Sequence, residues 1–241
     1  MQIIELQETT SVMDDAKRLI REGKLAPFDS VTAKIQTSGK GQYGRTWVSP
    51  EGNIYACMRL PLTEPFTGTE AASAFSTAVS AVLIRLGFDV RIKWMNDITV
   101  SDGKAAGILL EKFNGCLIAG IGINVERRPA SSEMRVGAAL PAVSLKDVNP
   151  EVLAGKDAAT LWREIAEGVE AFSQSGELQK NWHALAERLL LWKSRTIAIE
   201  SPEGRFEGVF EGIASDGALK LNDAGNRRLF YQGSIRPTDK D

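Results

Sequence analysis

The hydrophobic pattern of the chain changes near residue 193, and this change limits the folds that the chain can adopt. Before this point, apolar runs with the length of buried strands alternate with segments of helical spacing, and the clearest strands are 53–60, 90–94 and 116–125. After it, only short alternating runs and turn-forming residues follow. This order of elements predicts an α+β fold in which residues 1–192 form one domain and residues 193–241 form a small C-terminal β-barrel.

Several segments before residue 193 have the spacing expected of helices. The first is capped by Ser11, and a later one at 71–86 follows a capping box formed by Thr67 and Glu70. Two further helices are predicted at 157–173 and 177–192. Residues 2–7 alternate loosely, which indicates a strand at the edge of a sheet.

The charge balance and the scarcity of cysteine and histidine exclude several classes of function. The chain has 29 Lys plus Arg and 31 Asp plus Glu, and this near-neutral balance predicts no nucleic-acid partner. Cys57 and Cys116 lie inside apolar stretches, and with one histidine they are too few for a zinc site, so no metal-ligating residues are assigned. No apolar run approaches the roughly 18 residues of a membrane span, and residues 1–8 lack the pattern of a secretory signal. We therefore expect a cytoplasmic protein with no membrane partner.

A glycine-rich stretch at 39–44 fits the spacing G-x-G-x-x-G of dinucleotide-binding loops. That motif must open a helix, yet residues 45–50 are not helix-like, and the same objection applies to a phosphate-binding P-loop. Glycines still allow the backbone to approach a ligand closely, and Lys40 and Arg45 add positive charge. A ligand-covering loop and a solvated turn with incidental charges both remain open for this stretch.

Three later segments carry polar residues at the ends of predicted strands. Lys93 can offer a point charge to a phosphate or carboxylate, although 93–97 also suits a simple exit from strand to turn. The segment 104–111 has the pattern of a hairpin return, in which Lys104 is equally consistent with an exposed turn residue. Two glycines in the apolar run 120–124 indicate close approach by another part of the backbone.

Together and in this order, these segments resemble the catalytic domain of biotin protein ligases. The family pattern has a loop rich in glycine and arginine that ends in tryptophan. It continues with Ser-Pro, Gly-Asn, Lys-Trp-Pro-Asn-Asp, Lys-x-x-Gly-Ile-Leu-x-Glu and Gly-x-Gly-Ile-Asn. The corresponding residues here are 39–47, 49–50, 52–53, 93–97, 104–111 and 120–124. The resemblance covers nearly the whole chain and implies a mixed sheet packed with helices, followed by an SH3-like barrel.

The resemblance implies one set of residues for biotin and one for ATP. The biotin-binding residues that it implies are Thr9, Thr10, Ser11, Gln36, Gly39, Lys40, Gly41, Gln42, Lys93 and Gly107. The ATP-binding residues that it implies are Lys40, Arg45, Trp47, Asn96 and Asn124. Lys93 and Arg45 are the expected catalytic residues, since each offers a cation to the reacting phosphate.

The reaction and the partners also follow from the resemblance. It implies that biotin is activated with ATP and Mg²⁺ to biotinyl-adenylate and then transferred to a lysine of a biotin carboxyl carrier protein of a carboxylase. Because the first predicted strand begins at residue 2, we expect a short form without the DNA-binding domain of the regulatory members. The sequence leaves open whether the chain forms a homodimer.

Two alternatives to this function remain open at the level of sequence. One is a lipoate or octanoate ligase or transferase of the same fold, and the other is a non-catalytic sensor of biotin or nucleotide. The sensor is motivated by Lys40, Gln42 and Tyr43, which replace arginines of the family loop, and Met95 replaces a proline. Gln36 favours biotin, because a ureido ring needs hydrogen-bonding partners.

Overall fold

The computed structural model of the protein describes residues 1–133 and 138–238. The helices are α1 Val12–Arg21, α2 Ala71–Arg85, α3 Leu145–Val148, α4 Ala158–Gln174 and α5 Glu177–Leu189. The first nine strands are β1 Ile3–Thr9, β2 Ser30–Gln36, β3 Gly39–Lys40, β4 Thr46–Trp47, β5 Ile54–Leu60, β6 Val90–Lys93, β7 Asp97–Val100, β8 Gly103–Phe113 and β9 Cys116–Ile123. The last five are β10 Thr196–Ser201, β11 Gly204–Ile213, β12 Leu219–Asp223, β13 Asn226–Phe230 and β14 Ser234–Pro237.

Seven strands form a central mixed sheet in the order β1-β2-β5-β9-β8-β7-β6. Only β1 and β2 are parallel, and all other neighbours are antiparallel. The prediction of an edge strand near the N-terminus is therefore confirmed by β1. The opposite edge, β6, is partly covered by the chain that leaves α5, because the Leu191 amide donates to the Ile92 carbonyl at 2.8 Å.

Helices cover both faces of the central sheet, which explains why its inner strands are apolar without alternation. Along β5, Tyr55 and Cys57 pack with α1 on one face. Ala56 and Met58 point to the other face and join the larger core formed with α2, α4 and α5. All four side chains are buried. The mixed α+β fold predicted from the periodicity is thus confirmed.

The remaining strands form a C-terminal antiparallel sheet in the order β13-β12-β11-β10-β14. Its core contains Phe210, Leu219, Leu221 and Ile235, and it continues into the core under α2 and α5. Strands β13 and β14 lie at opposite edges, and no pairing joins them in the ranges 1–133 and 138–238. The predicted closed, SH3-like barrel is therefore not confirmed, and the unit is an open sheet.

The predicted capping box before α2 is wrong. Glu70 is itself the N-cap residue, and its carboxylate accepts from the Gly68 amide at 3.2 Å instead of pairing with Thr67. The hydroxyl of Thr69 donates to the Asp216 carbonyl of the C-terminal sheet at 2.8 Å. A tertiary contact thus determines how the chain enters this helix. In the part of the chain that the structure describes, no helix has the length and apolar character needed to cross a membrane.

Candidate functional site

An open cleft lies where the β3–β4 hairpin meets the first turn of α1 and the strands β6 to β9. It encloses about 890 Å³, part of it open to solvent. Apolar residues of the central sheet form its floor, and polar or charged side chains stand at its ends.

The floor of the cleft depends on glycines that face each other in neighbouring strands. Gly107 of β8 pairs with Gly122 of β9, and the Trp47 indole lies directly on both. A Cβ atom at Gly122 would stand 2.4 Å from the Trp47 ring, and one at Gly120 would stand 2.4 Å from Met13 Sδ. The glycines do allow a close approach, but the approaching groups are the Trp47 indole and the Met13 side chain instead of the backbone segment that was predicted.

Gln36 forms the polar end of the cleft beside α1. Its Oε1 accepts from the Val12 amide at 3.0 Å, and its Nε2 donates to Ser49 Oγ at 3.1 Å. Gln36 thus satisfies one of the free amides at the start of the helix. Next to it, the Ser11 hydroxyl is buried and has no hydrogen-bond partner among the described residues. A buried polar atom of this kind is usually satisfied by water or a ligand.

Two lysines and one carboxylate form the charged end of the cleft. Asp97 Oδ2 accepts from Lys93 Nζ at 3.1 Å, and Asp97 Oδ1 accepts from Lys104 Nζ at 2.5 Å. Burial acts to raise the pKa of Asp97, but the positive charges of Lys104 and Lys93 outweigh it and hold that pKa below its usual value. The three groups together carry one net positive charge at neutral pH, and this charge faces the cleft.

The β3–β4 hairpin covers the cleft and carries two more cations. Lys40 Nζ donates to Asp14 Oδ1 at 2.6 Å, which ties the hairpin to the first turn of α1. The Arg45 guanidinium lies 5.3 Å from the centre of the exposed Tyr43 ring. Tyr43 has a φ of +58°, a conformation that costs energy for a residue with a side chain. The Arg45 backbone is held within the hairpin, where its carbonyl accepts from the Gly41 amide at 2.8 Å and its amide donates to the Gln42 carbonyl at 3.3 Å.

The structure brings many of the predicted site residues to this one cleft. Those that line it are Gln36, Lys40, Gly41, Gln42, Arg45, Trp47, Lys93, Asn96 and Gly107. Those that do not line it are Thr9, Thr10, Ser11, Gly39 and Asn124. Ser11 and Gly39 lie just behind the Gln36 side chain, and Thr9 donates to Asp15 instead. The ligand-binding roles of both groups stay predictions.

Asn124 lies outside the cleft, next to the backbone of Lys104. Its Nδ2 donates to the Val143 carbonyl at 3.1 Å and lies 3.5 Å from the Lys104 carbonyl. Its Oδ1 is buried without a partner in residues 1–133 and 138–238. In this structure Asn124 therefore supports the backbone of Lys104.

Sequence reasoning did not assign three contributors to the cleft. Lys104 was equally consistent with an exposed turn residue, and Asp97 with a turn former, yet they form an ion pair inside the cleft. The signal was the hairpin itself, because Lys104 pairs with Thr99 and so lies two residues along the neighbouring strand from Asp97. Ser234 of the C-terminal sheet also lines the cleft, and no local sequence pattern predicts this contact.

The described residues do not fit a metal ion held by protein ligands. No group of three or more His, Cys, Asp or Glu side chains is present among them. Asp97 lines the cleft, but both of its oxygens already accept from lysines. Mg²⁺ commonly reaches such sites with substrate phosphates and few carboxylates. Its participation stays a prediction.

Comparison with known proteins assigns the family. A sequence profile of the biotin/lipoate A/B protein ligase family matches residues 4–126. The chain belongs to this family. Among the relatives of this ligase-family protein, the bifunctional ligase/repressor BirA of Escherichia coli is 31% identical over 90% of this chain and 68% of its own length. The biotin–[acetyl-CoA-carboxylase] ligase of Paracoccus denitrificans is 32% identical over 88% of this chain and 93% of its own length.

Solved structures agree with the family assignment at the level of the fold. The biotin protein ligase from Aquifex aeolicus, solved in complex with biotin and ATP, superposes with a TM-score of 0.81. The match covers 98% of this chain and 99% of the other, at 23% sequence identity. The central mixed sheet and the C-terminal sheet of this chain therefore have the same overall fold as that protein.

Proposed function

We propose that this chain is a biotin protein ligase that activates biotin with ATP and transfers it to a lysine of a biotin carboxyl carrier protein. The observation that carries the proposal is one cleft with a hydrogen-bonding end at Gln36 and a cationic end at Lys93, Lys104 and Arg45. Biotin has a polar ureido ring at one end and a carboxylate at the other, so its two ends match the two ends of the cleft.

At the polar end, Gln36 lines the cleft and would bind the ureido group, and the Ser11 hydroxyl behind it would have to turn toward the ligand to join this contact. The Ser11 hydroxyl is buried and unpaired in the described residues, so a ligand donor or acceptor there would satisfy it. The apolar floor between the ends, which includes Leu109 and Ile121, suits the hydrocarbon part of biotin. This division of polar and apolar surface favours biotin over lipoate or octanoate, which have no ureido group.

At the cationic end, the biotin carboxylate would attack the α-phosphate of ATP. A carboxylate oxygen forms a bond to phosphorus, the bond to the bridging oxygen breaks, and pyrophosphate leaves with its electron pair. Two anions must meet, so positioning and neutralisation of charge are the main tasks of the protein. Lys93 and Lys104 would hold the reacting oxygens, and Arg45 would follow the phosphates from the hairpin.

In the second step the neutral amine of the carrier lysine would attack the acyl carbon of the adenylate. An amide bond forms, AMP leaves, and the amine loses a proton to solvent. The mixed anhydride would otherwise react with water, so the hairpin that carries Lys40 to Arg45 should close over it. Lys40 already ties this hairpin to α1 through Asp14.

The test is ATP–pyrophosphate exchange measured with biotin, lipoate and octanoate in parallel. We expect exchange that depends on biotin and is at least about tenfold slower with the other two acids, a difference typical of unpaired polar groups in a site. Faster exchange with lipoate or octanoate would support the other activity of this family. Tight binding of biotin without any exchange would support a sensor.

Further parts of the assignment rest on the same proposal. The carrier protein is a carboxylase subunit, and the protein acts in the cytoplasm, where such carriers and ATP are available. Residues 1–192 form the catalytic domain, and residues 193–241 form a C-terminal domain that completes the cleft through Ser234. A homodimer and the absence of nucleic-acid binding stay predictions.

A further inference from the structure

The turn that joins β11 to β12 reaches from the C-terminal sheet into the wall of the cleft. Nε1 of Trp94 donates to the Gly217 carbonyl at 2.9 Å, although the two residues are 123 positions apart. Trp94 is buried, lines the cleft and directly follows Lys93. Buried indole N–H groups usually have a partner. The position of the Gly217 carbonyl therefore decides where the Trp94 ring lies.

The turn itself is held in one conformation by its own hydrogen bonds. The Gly217 amide donates to the Ala214 carbonyl at 2.9 Å, and the Ala214 amide donates to the Ala218 carbonyl at 2.8 Å. The carboxylate of Asp216 accepts from the Ala218 amide at 3.2 Å and from the Tyr231 hydroxyl at 2.9 Å. A turn with this many internal bonds presents its Gly217 carbonyl at a defined place.

The turn also packs closely against the entry of α2. Thr69 Oγ1 donates to the Asp216 carbonyl at 2.8 Å. Gly217 has a φ of +81°, and a Cβ atom there would lie 3.0 Å from the Cα of Glu70. Because the neighbouring atom belongs to the backbone of Glu70, it cannot shift easily to make space for a methyl group. The fit between the C-terminal sheet and the entry of α2 is therefore sensitive to a single methyl group.

We propose that the turn at 214–218 is a positioning element of the active site and that it acts on Lys93 through Trp94. The inference rests on the proposed function, in which Lys93 neutralises charge during attack on the phosphate. A displacement of about 1 Å at a reacting centre can cost on the order of 100-fold in rate. Trp94 is a positioning residue here, because its ring holds the end of β6 while Lys93 makes the contact with substrate. The C-terminal sheet would thus control the rate of adenylate formation more than the affinity for biotin.

The first test is Trp94→Phe, which keeps an aromatic ring in the core and removes the N–H donor. We expect kcat for biotin-dependent pyrophosphate exchange to fall at least about tenfold, with KM for biotin changed less than about threefold. Titration with biotin by calorimetry gives the fraction of folded, binding-competent protein, so the kcat is counted per functional site. A variant kcat within twofold of wild type, or an equal loss in affinity and rate, would overturn the proposal.

The second test compares Gly217→Ala with Gly225→Ala, two matched changes in turns of the same sheet. Gly225 has a φ of +96° and no atom within 4 Å of its virtual Cβ, so both changes introduce backbone strain but only one presses against Glu70. We expect Gly217→Ala to lower kcat as Trp94→Phe does, and Gly225→Ala to stay within twofold of wild type. Equal losses in both would show that strain alone acts and would defeat the proposal.

The same assay separates this proposal from the proposed function. If the wild-type chain shows no biotin-dependent exchange, then the ligase function fails. If the wild type is active and both Trp94→Phe and Gly217→Ala match it, then only the positioning role fails.

Discussion

The two sides of the cleft hold their cations in different ways. On one side, Lys93 of β6 and Lys104 of β8 extend from the central sheet and share the Asp97 carboxylate, and Lys93 is 8% exposed. On the other side, Lys40 and Arg45 belong to a hairpin whose strands are two residues long, and both are exposed. The first side is preorganised by the sheet, whereas the second has few contacts that fix it.

This difference matters because charges act more strongly where water is excluded. A buried cation keeps most of its field, whereas an exposed ion pair such as Lys40–Asp14 contributes little, about 0–1 kcal/mol. We therefore expect the lysine side to determine the rate of the chemistry and the hairpin side to determine how long the adenylate is retained.

The largest expected effect is on the preorganised side. Lys93→Met keeps most of the aliphatic stem and removes the charge, so pyrophosphate exchange should fall at least about 100-fold, the size seen when one transition-state donor is removed. Lys112→Met is the matched control, because Lys112 is an exposed lysine of β8 outside the cleft. Near-normal exchange in a folded Lys93→Met protein would contradict the assignment.

The shared carboxylate should also contribute to stability, with a defined dependence on pH. Asp97→Asn leaves two lysines without their common anion, and we expect a loss of about 1–3 kcal/mol in the free energy of unfolding at pH 7. The pKa of folded Asp97 is held below its ordinary value of 3.8. Its contribution is therefore complete above that ordinary value and is lost as the pH falls through the lowered pKa of the folded protein.

Urea unfolding of wild type and Asp97→Asn at several pH values measures this contribution. The difference between the two proteins should be largest near neutrality and should shrink in strong acid. Asp102→Asn, which changes an exposed residue in the turn of the same hairpin, should show no such pattern. A difference that is constant with pH would rule out the ion pairs as its source.

On the hairpin side, Gln42 offers one neutral amide where the family resemblance implies an arginine. Gln42→Arg would add a permanent cation with several donors beside the adenylate phosphate. Hydrogen bonds to charged groups contribute about 1.5–3 kcal/mol, so release of biotinyl-adenylate should slow by on the order of tenfold. Adenylate dissociation from both proteins at matched salt measures this, and an unchanged or faster rate in the variant would leave Gln42 as a neutral replacement.

The smallest expected effect concerns closure of the hairpin. Trypsin cleavage after Lys40 or Arg45 should slow several-fold when biotin and ATP are added, because closing a glycine-rich hairpin removes the open conformations that proteases cut. Cleavage after Lys24, exposed in the turn that follows α1, should keep its rate. Equal protection at both places would indicate a general stabilisation instead of a closing hairpin.

The sequence predicted the elements of the fold better than it predicted their ends and their contacts. The strands at 53–60, 90–94 and 116–125 and the paired long helices are confirmed, because burial on a sheet or helix face leaves a periodic pattern in the chain itself. The capping box at Thr67 and Glu70 failed, because Thr69 bonds to the C-terminal sheet and the helix begins one residue after Glu70. The C-terminal barrel was predicted from a run of short strands and turns, and such a run does not specify whether the two edge strands meet.

What the sequence by itself determined is local: the strand and helix order, the glycine positions where Trp47 and Met13 approach the sheet, and the cations that stand at strand ends. What only the tertiary structure decided is which of these meet. It carries the Gly217 carbonyl to the Trp94 indole across 123 residues, and it brings Ser234 of the C-terminal sheet to the cleft that Lys93 lines. The physical reason is that hydrophobic periodicity specifies which face of an element is buried, whereas the partner of a polar group at the end of that element depends on where distant segments pack.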